Sequence, residues 1–284
     1  MERKCKVDII CPLYNAEQYI LSLNESLLKQ KKIEINEIKY VLTESNDNTE
    51  QYLIDNKIKF KKIKEGKFSH SLTRENEAMS CNADVIVFIT QDIVILDEYW
   101  LYNLVRDIND NDIVAAYSRQ LTKFNNIEKY TREFNYPSDD IIKSKQDIST
   151  YGLKTFFFSD AASAINTKIF KELNGYDGKD LPIAEDMYIA YKIIMNGYKI
   201  KYCATSIVYH SHNFTLKEIY ERYKLTGKFF KENRYINNFE KTKSGANLAK
   251  YILKRIFQEK RILLLFRFPF DMAARFIGMK VGNR

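Results

Sequence analysis

The stretch that most constrains this chain is VIVFITQDIVI, residues 85–95. From Val85 the run is almost continuously apolar and β-branched or aromatic. That is the pattern of a strand buried on both faces of a parallel sheet. It stops at Thr90-Gln91-Asp92 before apolar residues resume. Polar groups at the carboxyl end of a buried central strand are where open α/β sheets bind ligands. A carboxylate there can be a hard oxygen ligand for a divalent cation that also holds a diphosphate. The same Asp also suits a plain cap after the strand, so this stretch alone leaves both readings open.

The flanking segments predict the rest of a sheet. Strands are predicted over 6–11, 38–42 and 57–63, with helices over 16–30, 49–55 and 69–80 between them. Pro12-Leu13-Tyr14-Asn15 ends the first strand, because Pro cannot continue a central strand. Asn15 is a suitable N-cap for the helix that follows. This β-α-β-α-β alternation predicts an α/β protein with a mostly parallel, Rossmann-like sheet and helices on both faces. After Asp92 the pattern loosens. A helix is predicted over 98–107, a strand over 113–117, and an irregular polar segment over 119–150. Extended segments follow over 155–158 and 161–165, then a short helix over 167–173 closed by Asn174-Gly175. Glu185-Asp186 heads an apolar helix, a position that also suits simple capping of the macrodipole. An extended segment over 200–209 ends in His210-Ser211-His212, two of the chain's three histidines, and helix is predicted from Phe214 onward.

Charge divides the chain. Residues 216–284 carry 17 Lys and Arg against 6 Asp and Glu, a net +11 that leaves −3 on residues 1–215. From Leu248 to Phe270 apolar residues such as Ile252, Ile256 and Leu263 alternate with Lys250, Lys254, Lys260 and Arg267 at helical spacing. Such a segment lies on an anionic membrane face or packs as a helical pair on the main domain. No run of 18 apolar residues exists, so no membrane-spanning helix is expected, and MERKCKVDII lacks the apolar core of a signal peptide. The four scattered cysteines form no CxxC pair and fit reduced thiols in a cytoplasmic protein. Neither GxGxxG nor GxxxxGK[ST] occurs, which argues against dinucleotide enzymes and P-loop NTPases. No nucleic-acid recognition motif accompanies the basic tail, so no nucleic-acid partner is expected.

In a parallel sheet the strand ends converge on one rim. Residues 12–15, 43–47 and 90–92, the Glu185-Asp186 pair and the histidines should therefore share a cleft. A carboxylate and an imidazole can hold one divalent cation beside a diphosphate. A second carboxylate, away from the metal, can act as general base. Together these are what glycosyl transfer from a nucleotide sugar needs.

At residues 6–235 the chain resembles a family-2 glycosyltransferase of the GT-A fold. PLYN stands at the family's first nucleotide-binding loop, Thr90-Gln91-Asp92 at its DXD motif, Glu185-Asp186 at its ED motif, and His210 to His212 at its metal-ligand histidine. The strings FSHSLTR, FITQD, YSRQL, FNYP, YGLKTFFFSDAASA, EDM and HSHNFT, in that order, resemble the bacterial rhamnosyltransferase-like branch. The resemblance implies a GT-A catalytic domain over 1–215 and a basic helical extension over 216–284. It implies an inverting transferase that moves a sugar, L-rhamnose from dTDP-L-rhamnose, onto a glycan or lipid-linked saccharide in surface polysaccharide synthesis. The alternatives are a UDP-hexose or UDP-N-acetylhexosamine donor, or a non-catalytic nucleotide-sugar-binding protein. A sugar nucleotidyltransferase would carry a Gly-rich signature where Pro12-Leu13-Tyr14-Asn15 stands.

The residue roles implied are these. Pro12, Tyr14, Asn15, Glu44 and Asp47 hold base and ribose, with Gln91 and Asp92 beside the nucleotide. Arg74 supports the diphosphate or pairs with a carboxylate. Asp92 with His212 or His210 binds Mg2+ or Mn2+. Asp186, paired with Glu185, is the base. Lys154, Ser159 and Asp160 lie on the acceptor side, while Phe156 to Phe158 are core. The chain departs from the family at three places. Thr90 and Gln91 leave one acid in the metal motif, Leu42 stands where an Asp reads the pyrimidine, and Glu75 and Glu77 replace the usual Asn and Gly. Peripheral attachment to the inner face of the cell membrane is expected through the basic tail.

Overall fold

The computed structural model describes residues 4–210, 212–239 and 244–284. Ser211 of the histidine string and the first three residues lie outside the described residues. The chain opens with β1 (Lys6–Leu13), α1 (Ile20–Leu28), β2 (Glu34–Thr43), α2 (Thr49–Asp55), β3 (Phe60–Ile63), α3 (His70–Met79) and β4 (Val85–Ile89). β1 pairs in parallel with both β2 and β4, and β2 with β3. The chain therefore winds outward from β1 to β3 and returns to the other side of β1. At such a reversal the helices leave the sheet on opposite faces, and the strand ends open a crevice.

Every β4 residue is fully buried. Val85, Val87 and Ile89 join one core with Leu23, Leu27 and Trp100. Ile86 and Phe88 join the opposite core with Phe170, Ile189 and Ile193. That is the period of two expected of a strand, and each such side chain contributes about 1.5–3 kcal/mol on burial.

Beyond β4 the sheet becomes mixed. The next elements are β5 (Val94–Ile95), α4 (Trp100–Val105), β6 (Ile113–Leu121), α5 (Ile127–Asn135), β7 (Ile141–Lys143), α6 (Ile148–Tyr151), β8 (Ala162–Asn166), α7 (Thr167–Glu172), α8 (Glu185–Met195) and β9 (Lys199–Tyr209). β8 lies antiparallel between β4 and β6, and β6 runs parallel to β9. β5 and β7 are short antiparallel partners of β9. Among the described residues the order is β3-β2-β1-β4-β8-β6-β9-β5, with β7 also on β9. The α/β class is as expected; the parallel half carries the crevice and the antiparallel half walls it.

The tail is helical: α9 (Leu216–Glu232), α10 (Arg234–Asn237), α11 (Ser244–Gln258) and α12 (Leu264–Gly282). α12 packs directly on α9 because Gly227, Gly278 and Gly282 stand where the two backbones meet. A Cβ on Gly278 or Gly282 would collide with the carbonyl of Tyr220 or Lys224. α11 packs on α5 through Ile252, Ile256, Ile127 and Tyr130, reinforced by Arg255–Glu133 at 2.9 Å and Lys129–Glu259 at 2.7 Å.

Several expectations are corrected. β1 runs on through Pro12 to Leu13, because β4 stops pairing at Ile10 and Pro12 faces only β2. Asn15 is not a helix cap: it adopts φ 47°, and the first helix starts later, at Ile20. The segment 119–150 is not irregular, since it holds α5 and β7. Residues 152–156 form a 3-10 turn rather than a strand. Phe156 and Phe158 are core as expected, and Cys11, Cys81 and Cys203 are buried free thiols.

Candidate active site

The crevice at the ends of β1, β2 and β4 is stitched by side chain to backbone bonds. The Tyr14 N–H donates to Gln91 Oε1 at 2.7 Å, and Gln91 Nε2 donates back to the Tyr14 carbonyl at 2.8 Å. Gln91 thus ties the TQD loop to the PLYN loop. The Asn15 N–H donates to Ser45 Oγ, and the Asn46 N–H to Asn15 Oδ1. Asp47 accepts from the N–H groups of Glu17 and Thr49 and from the Thr49 hydroxyl. Burial works against its charge, yet those hydrogen bonds prevail and hold its carboxyl below the usual range. Asp47, expected at base and ribose, therefore spends its oxygens on the loop. The Tyr14 ring and Glu44 are exposed at the same edge, with Glu44 Oε2 accepting from the Glu65 N–H. Pro12 lies half-buried below them.

Asp92, His210 and His212 meet, with ligand atoms all within 4.8 Å of one another. Asp92 Oδ2 stands 3.5 Å from His210 Nε2 and 3.7 Å from His212 Nε2. Ligands held about 2.1 Å from one ion lie about 3.0–3.5 Å apart, so this spacing needs little adjustment to take a cation. A carboxylate with two imidazoles suits a divalent ion.

The second shell is also present. His210 Nδ1 lies 2.9 Å from Gln120 Oε1. Gln120 Nε2 donates to Ser159 Oγ at 2.8 Å, which aims its carbonyl at the imidazole. Nδ1 therefore carries the proton and Nε2 keeps its lone pair toward Asp92. Arg132 Nη1 donates to the same Gln120 oxygen. Burial pushes His210 down to about 3 and lowers His212 as well, against the pull of Asp92. Neutral imidazoles are the ligand form.

A second cluster forms at the start of α8. Ala184 enters the helix in the left-handed region at φ 60°. Arg74, 2 % exposed, places Nη1 3.6 Å from Glu185 Oε1 and donates to the His70 carbonyl at 2.8 Å. Its guanidinium thus pairs with a carboxylate, the second of the two roles expected of it. Asp160, expected on the acceptor side, is 2 % exposed and accepts from Ser163 Oγ at 2.7 Å and the Tyr176 hydroxyl at 2.6 Å. It belongs beneath the site and not on its wall. Burial raises Asp160 to about 6 and raises Glu185, while Arg74 opposes both shifts. Asp186 is raised well above the carboxylate range, by burial and then by the charges of Glu185 and Asp160. One guanidinium thus faces three carboxylates, and the proton affinity of Asp186 is raised.

The two clusters are linked through Tyr136 and Ser159. Tyr136 shares a hydrogen bond with Ser159 and feels the charge of Asp186, and Ser159 bonds the Gln120 that orients His210. Arg222 of α9 lies over the Phe214 ring, 4.9 Å from its centroid. Its charge reaches Glu185, His70, His210 and His212. Lys154 stands half-buried with Nζ 3.8 Å above the Phe134 ring.

Gln120, Arg132, Tyr136 and Arg222 were given no role by sequence reasoning. The first and third lie in the strings YSRQL and FNYP, which marked the resemblance without assigning a task. The two glutamates that replace Asn and Gly in α3 are structural. Glu75 accepts from the N–H groups of Tyr176 and Gly178, and Glu77 pairs with Lys61. With Ser69–Asp180 and Ser71–Leu181 bonds, α3 anchors the loop that delivers Glu185.

Comparison with known proteins places this geometry. The pattern of glycosyl transferase family 2 matches residues 8–173. The chain is 34 % identical, over 98 % of its length and 90 % of the relative's, to the O-antigen chain rhamnosyltransferase RfbN of Salmonella typhimurium. It is 33 % identical, over 78 % of its length and 71 % of the relative's, to the O-antigen chain rhamnosyltransferase WbaN of Salmonella anatum. Among solved structures it resembles the mannosyltransferase PcManGT of Pyrobaculum calidifontis, in complex with GDP-Man and Mn2+. The TM-score is 0.65 at 15 % identity, covering 99 % of this chain and 88 % of that one. S. aureus TarS 1-349 in complex with UDP matches with a TM-score of 0.52 at 16 % identity, over 97 % and 90 % of the two chains.

Proposed function

The chain belongs to glycosyl transferase family 2, and on that premise we propose that it is an inverting rhamnosyltransferase using dTDP-L-rhamnose. Its acceptor is a glycan or lipid-linked saccharide in surface polysaccharide synthesis. The observation that carries the mechanism is the Asp92–His210–His212 donor set, and Asp186, a carboxyl of raised proton affinity, supports the reading as its base. The names of the two Salmonella relatives support the choice of sugar.

Asp92, His210 and His212 would hold one Mg2+ or Mn2+, which when bound neutralises charge on the departing diphosphate. Asp186 takes the proton of an acceptor hydroxyl. The hydroxyl oxygen bonds to the anomeric carbon as the bond to the diphosphate oxygen breaks, its electrons leaving with the nucleotide. One displacement inverts the configuration and needs no protein nucleophile. Arg222 offers a second positive charge to the diphosphate, replacing Arg74, which the carboxylates occupy. Pro12, Tyr14, Asn15 and Glu44 line the nucleotide edge. Lys154 and Ser159 face the acceptor. Residues 1–215 carry the nucleotide edge, the cation ligands and the base, with Arg222 added from α9, and the basic extension 216–284 holds the enzyme against an anionic, cytoplasm-facing membrane. No helix among the described residues is long and apolar enough to cross a membrane.

The test is release of nucleoside diphosphate from a panel of dTDP- and UDP-sugars with Mn2+, Mg2+ or chelator. Turnover is expected with dTDP-L-rhamnose and a divalent ion. Turnover confined to a UDP-hexose overturns the donor, and full activity in chelator overturns the cation site.

A further inference from the structure

α12 has one packed side and one open side. Its inner side meets the protein: Gly278 and Gly282 touch the α9 backbone, Arg275 bonds Asp271 and the Tyr223 hydroxyl, and Leu264, Phe268 and Met272 pack against the α5–α11 cluster. Its outer face is apolar and uncovered. Leu263, just before the helix, Phe266, Phe270, Ile277 and Val281 are 82, 74, 63, 50 and 38 % exposed. They recur at three-, four- and seven-residue steps, which keeps them on one stripe. At 1.5 Å per residue that stripe is roughly 27 Å long. Phe257 near the end of α11 and Ile262 in the α11–α12 connection are exposed as well, at 62 and 60 %. Exposed large apolar residues concentrated along one helix side mark an interaction site.

Charge identifies the occupant. Lys260, Arg261, Arg267, Lys280 and Arg284 border the stripe. The sole acid in residues 260–284 is Asp271, which is 2 % exposed and held by Arg275. A second copy would set these cations against their own kind. An anionic bilayer supplies both the countercharge and an apolar layer for Phe and Leu. α12 is not long and apolar enough to span it.

We propose that α12 and the α11–α12 connection lie in the plane of an anionic bilayer at the headgroup–acyl boundary, with Leu263, Phe266, Phe270 and Ile277 inserted. This deepens the membrane-facing reading above, which rests on charge, by naming the helix and the side chains that enter the lipid. The inserted helix would sit directly behind the cation site. Arg267 Nη2 donates to the Phe214 carbonyl at 2.6 Å, and the Phe214 ring lies 4.8 Å from that of His212. The bilayer surface would then border the cleft itself.

The test is sedimentation of the full chain with vesicles of phosphatidylcholine alone or with about one-third phosphatidylglycerol. Wild type should pellet with the anionic vesicles. Phe266→Glu/Phe270→Glu should weaken that binding about tenfold or more, with an unchanged melting temperature, since both positions already face water. Lys260→Glu/Lys280→Glu should weaken it by about tenfold at low salt, with less effect at high salt. Wild-type failure to bind overturns the insertion and the charge-based reading together. Wild-type-like binding by Phe266→Glu/Phe270→Glu overturns insertion and leaves charge attraction standing. A wild-type dimer by light scattering that the same variant splits assigns the stripe to a second copy and also overturns the proposal. Nucleotide release measured without vesicles reads the sugar chemistry separately.

Discussion

His210 Nδ1 lies 2.9 Å from Gln120 Oε1, and its other nitrogen faces Asp92 Oδ2 at 3.5 Å. Gln120 therefore decides which nitrogen of His210 is available. Because Ser159 and Arg132 both bond the same amide, its orientation is fixed before any ion arrives. Replacing Gln120 with Leu should lower Mn2+ affinity about 10–100-fold, the usual cost of losing an outer-shell partner. Calorimetric titration with Mn2+ reads this, and saturating metal should restore much of the turnover.

Asp186→Asn should reduce turnover by roughly 10²–10⁴ while donor affinity holds. The pH profile gives an independent check. The raised proton affinity of Asp186 means the active, deprotonated form is lost as pH falls through that raised value. The acid limb of kcat should therefore lie well above the ordinary carboxylate range and vanish in the variant. A limb near pH 4 in wild type would contradict the role.

Arg222→Ala should weaken donor capture by about 10–100-fold, from loss of about 1.5–3 kcal/mol of charge-assisted bonding. Arg222→Lys should recover part of it. Stability should change little, because the side chain is exposed. Donor binding measured by calorimetry decides, and unaltered affinity in Arg222→Ala would remove it from the diphosphate site.

Arg74→Leu should cost about 3–5 kcal/mol of folding stability at neutral pH, because it strands buried carboxylates without their cation. Glu185 and Asp160 are the groups affected. Chemical denaturation of the variant and wild type measures the difference.

Asp160 supplies a linkage test. Its folded value is raised to about 6, chiefly by burial, above the ordinary value of about 3.9. The folded state thus binds the proton more tightly. Its contribution to stability is full below the unfolded value and is lost as pH rises through about 6. Melting temperature should carry a falling component between about pH 4 and pH 6, and Asp160→Asn should flatten it.

What the sequence determined is what local pattern can encode. Five consecutive apolar residues with no polar face state that β4 is covered on both sides. The polar break after it marks where the strand ends, at the rim where open α/β sheets bind ligands. Glu185-Asp186 before an apolar helix and two histidines after a strand are likewise local signals, and the fold brings the histidines to Asp92. The segment 119–150 was opaque because its helix, α5, is stabilised by distant partners. Its buried face is completed by Ile252 and Ile256 of α11, far along the chain.

Tertiary structure alone decided the rest. Asp160 looked like a site wall because no one-dimensional pattern reports burial by Ser163, Tyr176 and Arg74. Gln120 is 90 residues from His210, and its polar side chain inside a strand carries no local sign of its partner. The antiparallel insertion of β8 beside β4 sets which residues face the cleft. A side chain's chemistry is fixed by its type, but its proton affinity, tautomer and exposure are fixed by neighbours, and long-range packing chooses the neighbours.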